Sequence, residues 1–173
     1  MTRRGHVAGR APLSNTFGKR AVEMRAVIQR VKGASVEVKG EVFSRIGVGL
    51  CCLIGVESFD SAGDVDYLAR KICSLRVFDD ASGVMNLDVT ETPGDILLIS
   101  QFTLLGDARK GRRPSYSGAE TPEKAQAIFD ELVLKVKGIH PGLVETGKFQ
   151  TEMEVSLVNQ GPVTILLDSR KLF

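Results

Sequence analysis

"ASVEVKGEVFSRIGVGLCCLIGV", residues 34–56, carries two hydrophobic rhythms in succession. Over Ser35–Val38 and Glu41–Ile46 apolar and polar residues largely alternate, the period of a half-buried strand. Lys39-Gly40 between them is a two-residue turn signal, so the pair reads as a β-hairpin. "VGLCCLIGV" then runs almost unbroken in apolar residues, which predicts a strand buried on both faces.

The same alternation precedes this stretch in "RAVIQRV", residues 25–31. The period changes over residues 61–76, where Val65, Leu68, Ile72 and Leu75 share one helical face. Turn signals follow at Asp80 to Gly83 and at Pro93-Gly94, and a short strand covers Ile96 to Ser100. A second helix spans Thr121 to Lys137: Thr121 suits the cap, Pro122 the first position and Gly138 the stop. Its apolar stripe is Ala125, Ile128, Leu132 and Val136. Two strands, "EMEVSLVN" and "VTILLD", close the chain, and Gly161-Pro162 between them is a pair that a strand interior has little use for. The expected fold is α+β: a largely antiparallel, β-barrel-like sheet with two covering helices. Pairing in a homodimer is one way for such a sheet to protect its edges.

The chain has 173 residues, and residues 24–173 read as a single domain. Residues 1–23 hold five Lys/Arg and one acid, with no apolar core segment, and read as a disordered extension. That leaves 18 basic against 20 acidic residues, which excludes a generally basic nucleic-acid binder but not a local patch. No apolar run reaches the ~20 residues of a membrane helix. Cys51, Cys52 and Cys73 have no metal or redox spacing and read as reduced, buried thiols of a cytosolic protein, the first two on opposite strand faces.

"SQFTLLGDARKGRRPSYSG", residues 100–118, concentrates functional side chains. Ser100, Gln101 and Thr103 follow the apolar strand directly, where backbone donors come free. Arg109, Lys110, Arg112 and Arg113 then form either a solvated charge cluster or a phosphate-binding rim. His140, the one histidine after residue 23, lies in "KGIHPG" and reads as an exposed turn residue, not as a catalytic base. Phe149 and Met153, four apart, suit core packing or a pocket wall.

Taken together, "RAVIQRV", "SQFTL", "KGRRPSY" and "NQGPVT" resemble the D-aminoacyl-tRNA deacylase family, Gly-cisPro type, over Met24 to about Ser169. The resemblance implies a cytoplasmic homodimer without cofactor or metal. Its reaction is hydrolysis of the ester joining a D-amino acid, or glycine on the alanine tRNA, to the tRNA 3′-terminal adenosine. It implies that Ser100, Gln101 and Phe102 hold the aminoacyl group and adenosine, with Thr103 at the edge. The resemblance further implies that Gly161 and Pro162 form the chirality-selecting motif, a short projecting turn between the two closing strands that acts in the partner's pocket, that Arg30 supports that motif, and that Phe149 and Met153 line the adenosine side. "SQFT" sets the chain apart from a sister family that accepts small L-amino acids.

An aminoacyl ester is already activated, so the expected mechanism is substrate-assisted. Backbone donors at Gln101 and Phe102 would hold the oxyanion, and the ribose 2′-OH would help position water. A covalent Thr103 ester is the rival mechanism. A non-catalytic RNA-binding β-domain and a Ser/Thr hydrolase of small esters are the rival functions.

Overall fold

The computed structural model describes residues 24–171, so the leader over residues 1–23 lies outside the described residues. The order is β1 (Arg25–Val38), β2 (Glu41–Ile46), β3 (Gly49–Gly55), α1 (Ala62–Ser74), β4 (Phe78–Asp79), β5 (Met85–Leu87) and β6 (Asp95–Ser100). After β6 come a 3₁₀ turn (Phe102–Leu105), α2 (Pro122–Ile139), β7 (Val144–Thr146) and β8 (Glu154–Asp168).

Lys39 and Gly40 both take positive φ, 54° and 80°, the conformation that matches a tight turn to the twist of β1 and β2. β1 is long enough to serve three partners. It pairs antiparallel with β3 over Arg25–Val31, with β2 over Ala34–Val38, and with β8 along its other edge. The sheet therefore runs β2-β1-β3-β6-β7 with β8 on the outside of β1. It is barrel-like but mixed, because β3–β6 and β6–β7 are parallel. Each parallel pair brackets a helix in sequence, and a parallel connection needs such a crossover. The unbroken apolar character of β3 carried this signal, since parallel strands are buried on both faces.

Alternation then sorts the core. Leu50, Cys52, Ile54, Ile96 and Leu98 face a layer containing Leu68 and Ile72 of α1 and Leu132 and Val136 of α2. Fully burying each such side chain contributes about 1.5–3 kcal/mol. Cys51, Leu97 and Ile99 point the other way, into a second cluster with Val36 and Ile46. The adjacent cysteines thus occupy opposite faces, and all three cysteines are free and buried. Burial pushes the Cys51 and Cys73 thiols up to about 11, so they remain protonated.

Two helix details differ from expectation. Thr121 stands at the N-cap of α2 without a side-chain cap bond; the Glu120 carboxylate instead accepts the Thr121 N–H at 2.7 Å. Gly138 lies inside α2, which ends where the His140 N–H reaches the Val136 carbonyl. Among the described residues no helix is long and apolar enough to cross a membrane.

Candidate active site

β6 ends at Ser100 beside Ile54 of β3, and the Gln101 N–H continues that ladder to the Ile54 carbonyl at 2.7 Å. The backbone then tightens into the 3₁₀ turn, closed by Leu104 N–H on the Gln101 carbonyl. The sequence placed both Gln101 and Phe102 among the free donors, and the ladder bond removes the first. Phe102 and Thr103 open the turn, where no preceding helical carbonyl is in position to accept their N–H groups. The Gln101 side-chain amide donates to the Thr103 hydroxyl, joining the two polar side chains. The exposed Phe102 ring meets Tyr116 edge-on at 5.2 Å between centroids.

This strand end borders a cavity of about 570 Å³ whose lining includes Ser100, Gln101, Phe102, Phe149 and Met153. Phe149 also touches Phe129 of α2, so it serves core and wall together. The lining further includes Glu120 just ahead of α2, Pro122 and Ala125 from its start, and Thr151 and Glu152 before β8. Nothing in their residue types marked these positions beforehand; only the packing of α2 across the strand end brings them there.

Arg30, Gly161 and Pro162 are absent from this lining and form a second constellation. The register between β1 and β8 passes from Gln29↔Thr164 to Val31↔Asn159, so Gln160 to Val163 bulge opposite Arg30 alone. The expected turn between two strands is therefore a bulge within one continuous strand. The Gly161–Pro162 bond is cis, and both residues are exposed. Arg30 is 7% exposed. Its Nη1 donates to the Val77 carbonyl at 2.6 Å and to Asp79 at 3.3 Å, while Nε donates to the Gln160 carbonyl at 3.4 Å. A Cβ on Gly161, whose φ is 119°, would lie 2.8 Å from Val163 Cγ2 and 3.1 Å from Arg30 Nη2.

The basic loop lies outside the cavity lining. Asp107 and Ser115 bridge its base. Arg109 is committed to Asp107 at 2.7 Å and holds that carboxyl well below the usual range through its side-chain hydrogen bond. Lys110, Arg112 and Arg113 are exposed. His140 overturns its expected exposure: it is 4% exposed, with Nε2 3.0 Å from the Gly94 carbonyl and Nδ1 without a partner among the described residues. The helix extends through Ile139 and delivers the ring inward, and His140 is not a lining residue of the cavity. Among the described residues no cluster of three or more His, Cys, Asp or Glu is placed to hold a metal ion.

A small mixed barrel-like sheet with a strand-end pocket and a β8 bulge defines the class. The family described as D-Tyr-tRNA(Tyr) deacylase matches residues 27–168, and the chain belongs to that family. A D-aminoacyl-tRNA deacylase of Syntrophobacter fumaroxidans is 56% identical over 150 residues, covering 87% of this chain and 100% of its own. One from Kosmotoga olearia is 54% identical over 151 residues with the same coverage. A solved structure named "c-Myc DNA Unwinding Element Binding Protein" is 40% identical at a TM-score of 0.79, covering 83% of this chain and 97% of that one.

Proposed function

We propose that the protein hydrolyses the ester joining a D-amino acid, or glycine on the alanine tRNA, to the 3′-terminal adenosine of tRNA. The observation that carries the reading is the single cavity shared by the Ser100–Phe102 strand end and the Phe149–Met153 wall, in a chain of this family. The wall takes the adenosine and the strand end takes the ester. Phe102 N–H, with Thr103 N–H beside it, stabilises the developing oxyanion; a preorganised donor of this kind contributes about 3–4 kcal/mol. The ribose 2′-OH positions the attacking water, a role for which His140 is not placed. Thr103 orients the Gln101 amide and forms no covalent ester.

Selectivity arises from exclusion. A hydrophobic pocket separates small apolar differences by only about 1–3 kcal/mol, whereas a backbone wall in the direction of an L side chain rejects by clash. The Gly161-Pro162 bulge supplies that wall to the pocket of a second copy in a homodimer. Two observations support this: the bulge does not line its own chain's cavity, and among the described residues β8 pairs on one edge only while Val158 and Leu166 are exposed. Lys110, Arg112 and Arg113 serve tRNA phosphates, with Arg109 weakened in that role by Asp107. We infer the cytoplasm as the place of action.

The test is hydrolysis of D-Tyr-, L-Tyr- and glycyl-tRNA by the purified protein. Rapid loss of the D and glycyl esters with the L ester spared is expected; inactivity on all three overturns the reading. A second reading, nucleic-acid binding without turnover, draws on the exposed loop and on the name of the 40% identical structure, a DNA-unwinding-element binding protein. It predicts retention of tRNA with every ester intact.

A further inference from the structure

A second depression, about 490 Å³ in volume, adjoins the first and shares Glu120 with it. Its walls include Phe59, Lys124 and Ile128. Phe59 is 82% exposed and holds φ at 75°, a conformation that bulky residues rarely adopt. The backbone around it is fixed. The Asp60 N–H reaches the Glu57 carbonyl at 3.2 Å, and the Asp60 carboxylate accepts the Glu57 N–H at 2.8 Å. Ser58 N–H bonds the Gly118 carbonyl at 2.9 Å, and the Ser58 hydroxyl bonds the Ala119 carbonyl at 3.2 Å. A strained residue held by its surroundings points to function when the side chain it presents has no role in the core.

We propose that this depression binds the nucleotide immediately 5′ to the terminal adenosine, with its base stacked on Phe59 and its phosphate beside Lys124. The proposal rests on the reading of the first cavity as the aminoacyl-adenosine site. Single-stranded nucleic acid is held by aromatic platforms together with cations along the backbone, and this wall has one of each. Continuity through Glu120 matches covalent continuity of the strand. Glu120 uses one carboxylate oxygen on the Thr121 N–H. A carboxylate retains further acceptor capacity, so it can also take a ribose hydroxyl or a base amine at the junction. The hydrogen-bonded turn fixes the Phe59 backbone before the base arrives, which lowers the part of the entropy cost of stacking that backbone ordering would add.

The test compares the 3′-D-tyrosyl ester of adenosine with the same ester of the dinucleotide CpA. Wild-type protein should prefer the dinucleotide ester by about tenfold in kcat/KM, the scale of one base–aromatic stack. Phe59→Gly, which removes the ring and relieves the backbone, should erase that ratio and lower kcat/KM on D-Tyr-tRNA by about the same factor. Phe59→Trp should restore both. The subsite is overturned if Phe59→Gly keeps the wild-type ratio, if wild-type protein shows none, or if the substitution changes the oligomeric state and so assigns the ring to a subunit contact. Gln101→Ala and Met153→Ala report on the first cavity. If both leave adenosine-ester hydrolysis untouched, the underlying reading falls; if they impair it while the Phe59 result fails, the subsite alone falls.

Discussion

The Arg30 Nε donates to the Gln160 carbonyl across 130 residues of sequence, and its guanidinium also binds Val77 and Asp79. One buried cation thus joins the bulge of β8 to the entrance of β4. The planar fork matters, because separate nitrogens serve the Gln160 and Val77 carbonyls at fixed angles. Arg30→Ala leaves both carbonyls without this partner and should cost about 2–4 kcal/mol in denaturant unfolding. Arg30→Lys should recover part of that stability but not the ratio of D- to L-Tyr-tRNA hydrolysis. A lysine variant with wild-type selectivity would show that charge alone suffices.

Gly161 is required by its backbone and by its neighbours. Its positive φ disfavours any side chain, and an added Cβ meets Val163 and Arg30 at 2.8 and 3.1 Å. Gly161→Ala should therefore destabilise by about 1–3 kcal/mol. It should also displace the bulge, so that activity on D-Tyr-tRNA falls by a larger factor than Tm alone would suggest. Single-turnover hydrolysis measured well below the melting temperature separates the two effects.

Thr103 decides between assisted and covalent hydrolysis. Its hydroxyl accepts from the Gln101 amide, the contact on which the orienting role proposed for it rests. Thr103→Ala should leave kcat on D-Tyr-tRNA within about tenfold of wild type, since only one polar contact is lost. Removal of a covalent nucleophile would instead lower it by about 10⁴-fold or more, and quenched mass spectrometry would detect the acyl-protein in the wild type.

Asp60 should give the fold a measurable pH dependence. Burial pushes its carboxyl up from 3.8 to about 7, and nearby Asp64 and Glu57 add to the rise against the Glu57 N–H bond. Between about pH 4 and 7 the unfolded chain releases a proton that the folded chain retains, so this group lowers stability as pH rises through that window. Asp60→Asn keeps an acceptor for Glu57 and cannot ionise. The variant should match wild type in Tm near pH 4 and exceed it by a few degrees at pH 8. Equal melting at both values would contradict the assignment.

Much of the fold was legible because it follows from local periods. Val65, Leu68 and Ile72 marked the buried face of α1, and Cys51 and Cys52 fell on opposite faces as strand geometry dictates. The parallel pairings of β6 were missed because strand direction depends on which helix crosses the sheet, a nonlocal choice. His140 misled for a related reason: a Gly/Pro-flanked histidine has the local chemistry of a surface turn, yet α2 carries it to the Gly94 carbonyl.

The site divides along the same line. The amino-acid sequence by itself named the candidates: Ser100, Gln101 and Thr103 through their side-chain types, and Phe102, Phe149, Met153 and the Gly161-Pro162 pair through the family resemblance, since both readings rest on short local stretches. Tertiary structure decided which of them meet. Pairing of β3 with β6 consumed the Gln101 N–H, the register of β1 against β8 left four residues opposite Arg30, and packing of α2 set Glu120 between two cavities. Hydrogen-bond ladders and close packing connect positions that are far apart along the chain, so no short stretch of sequence contains them.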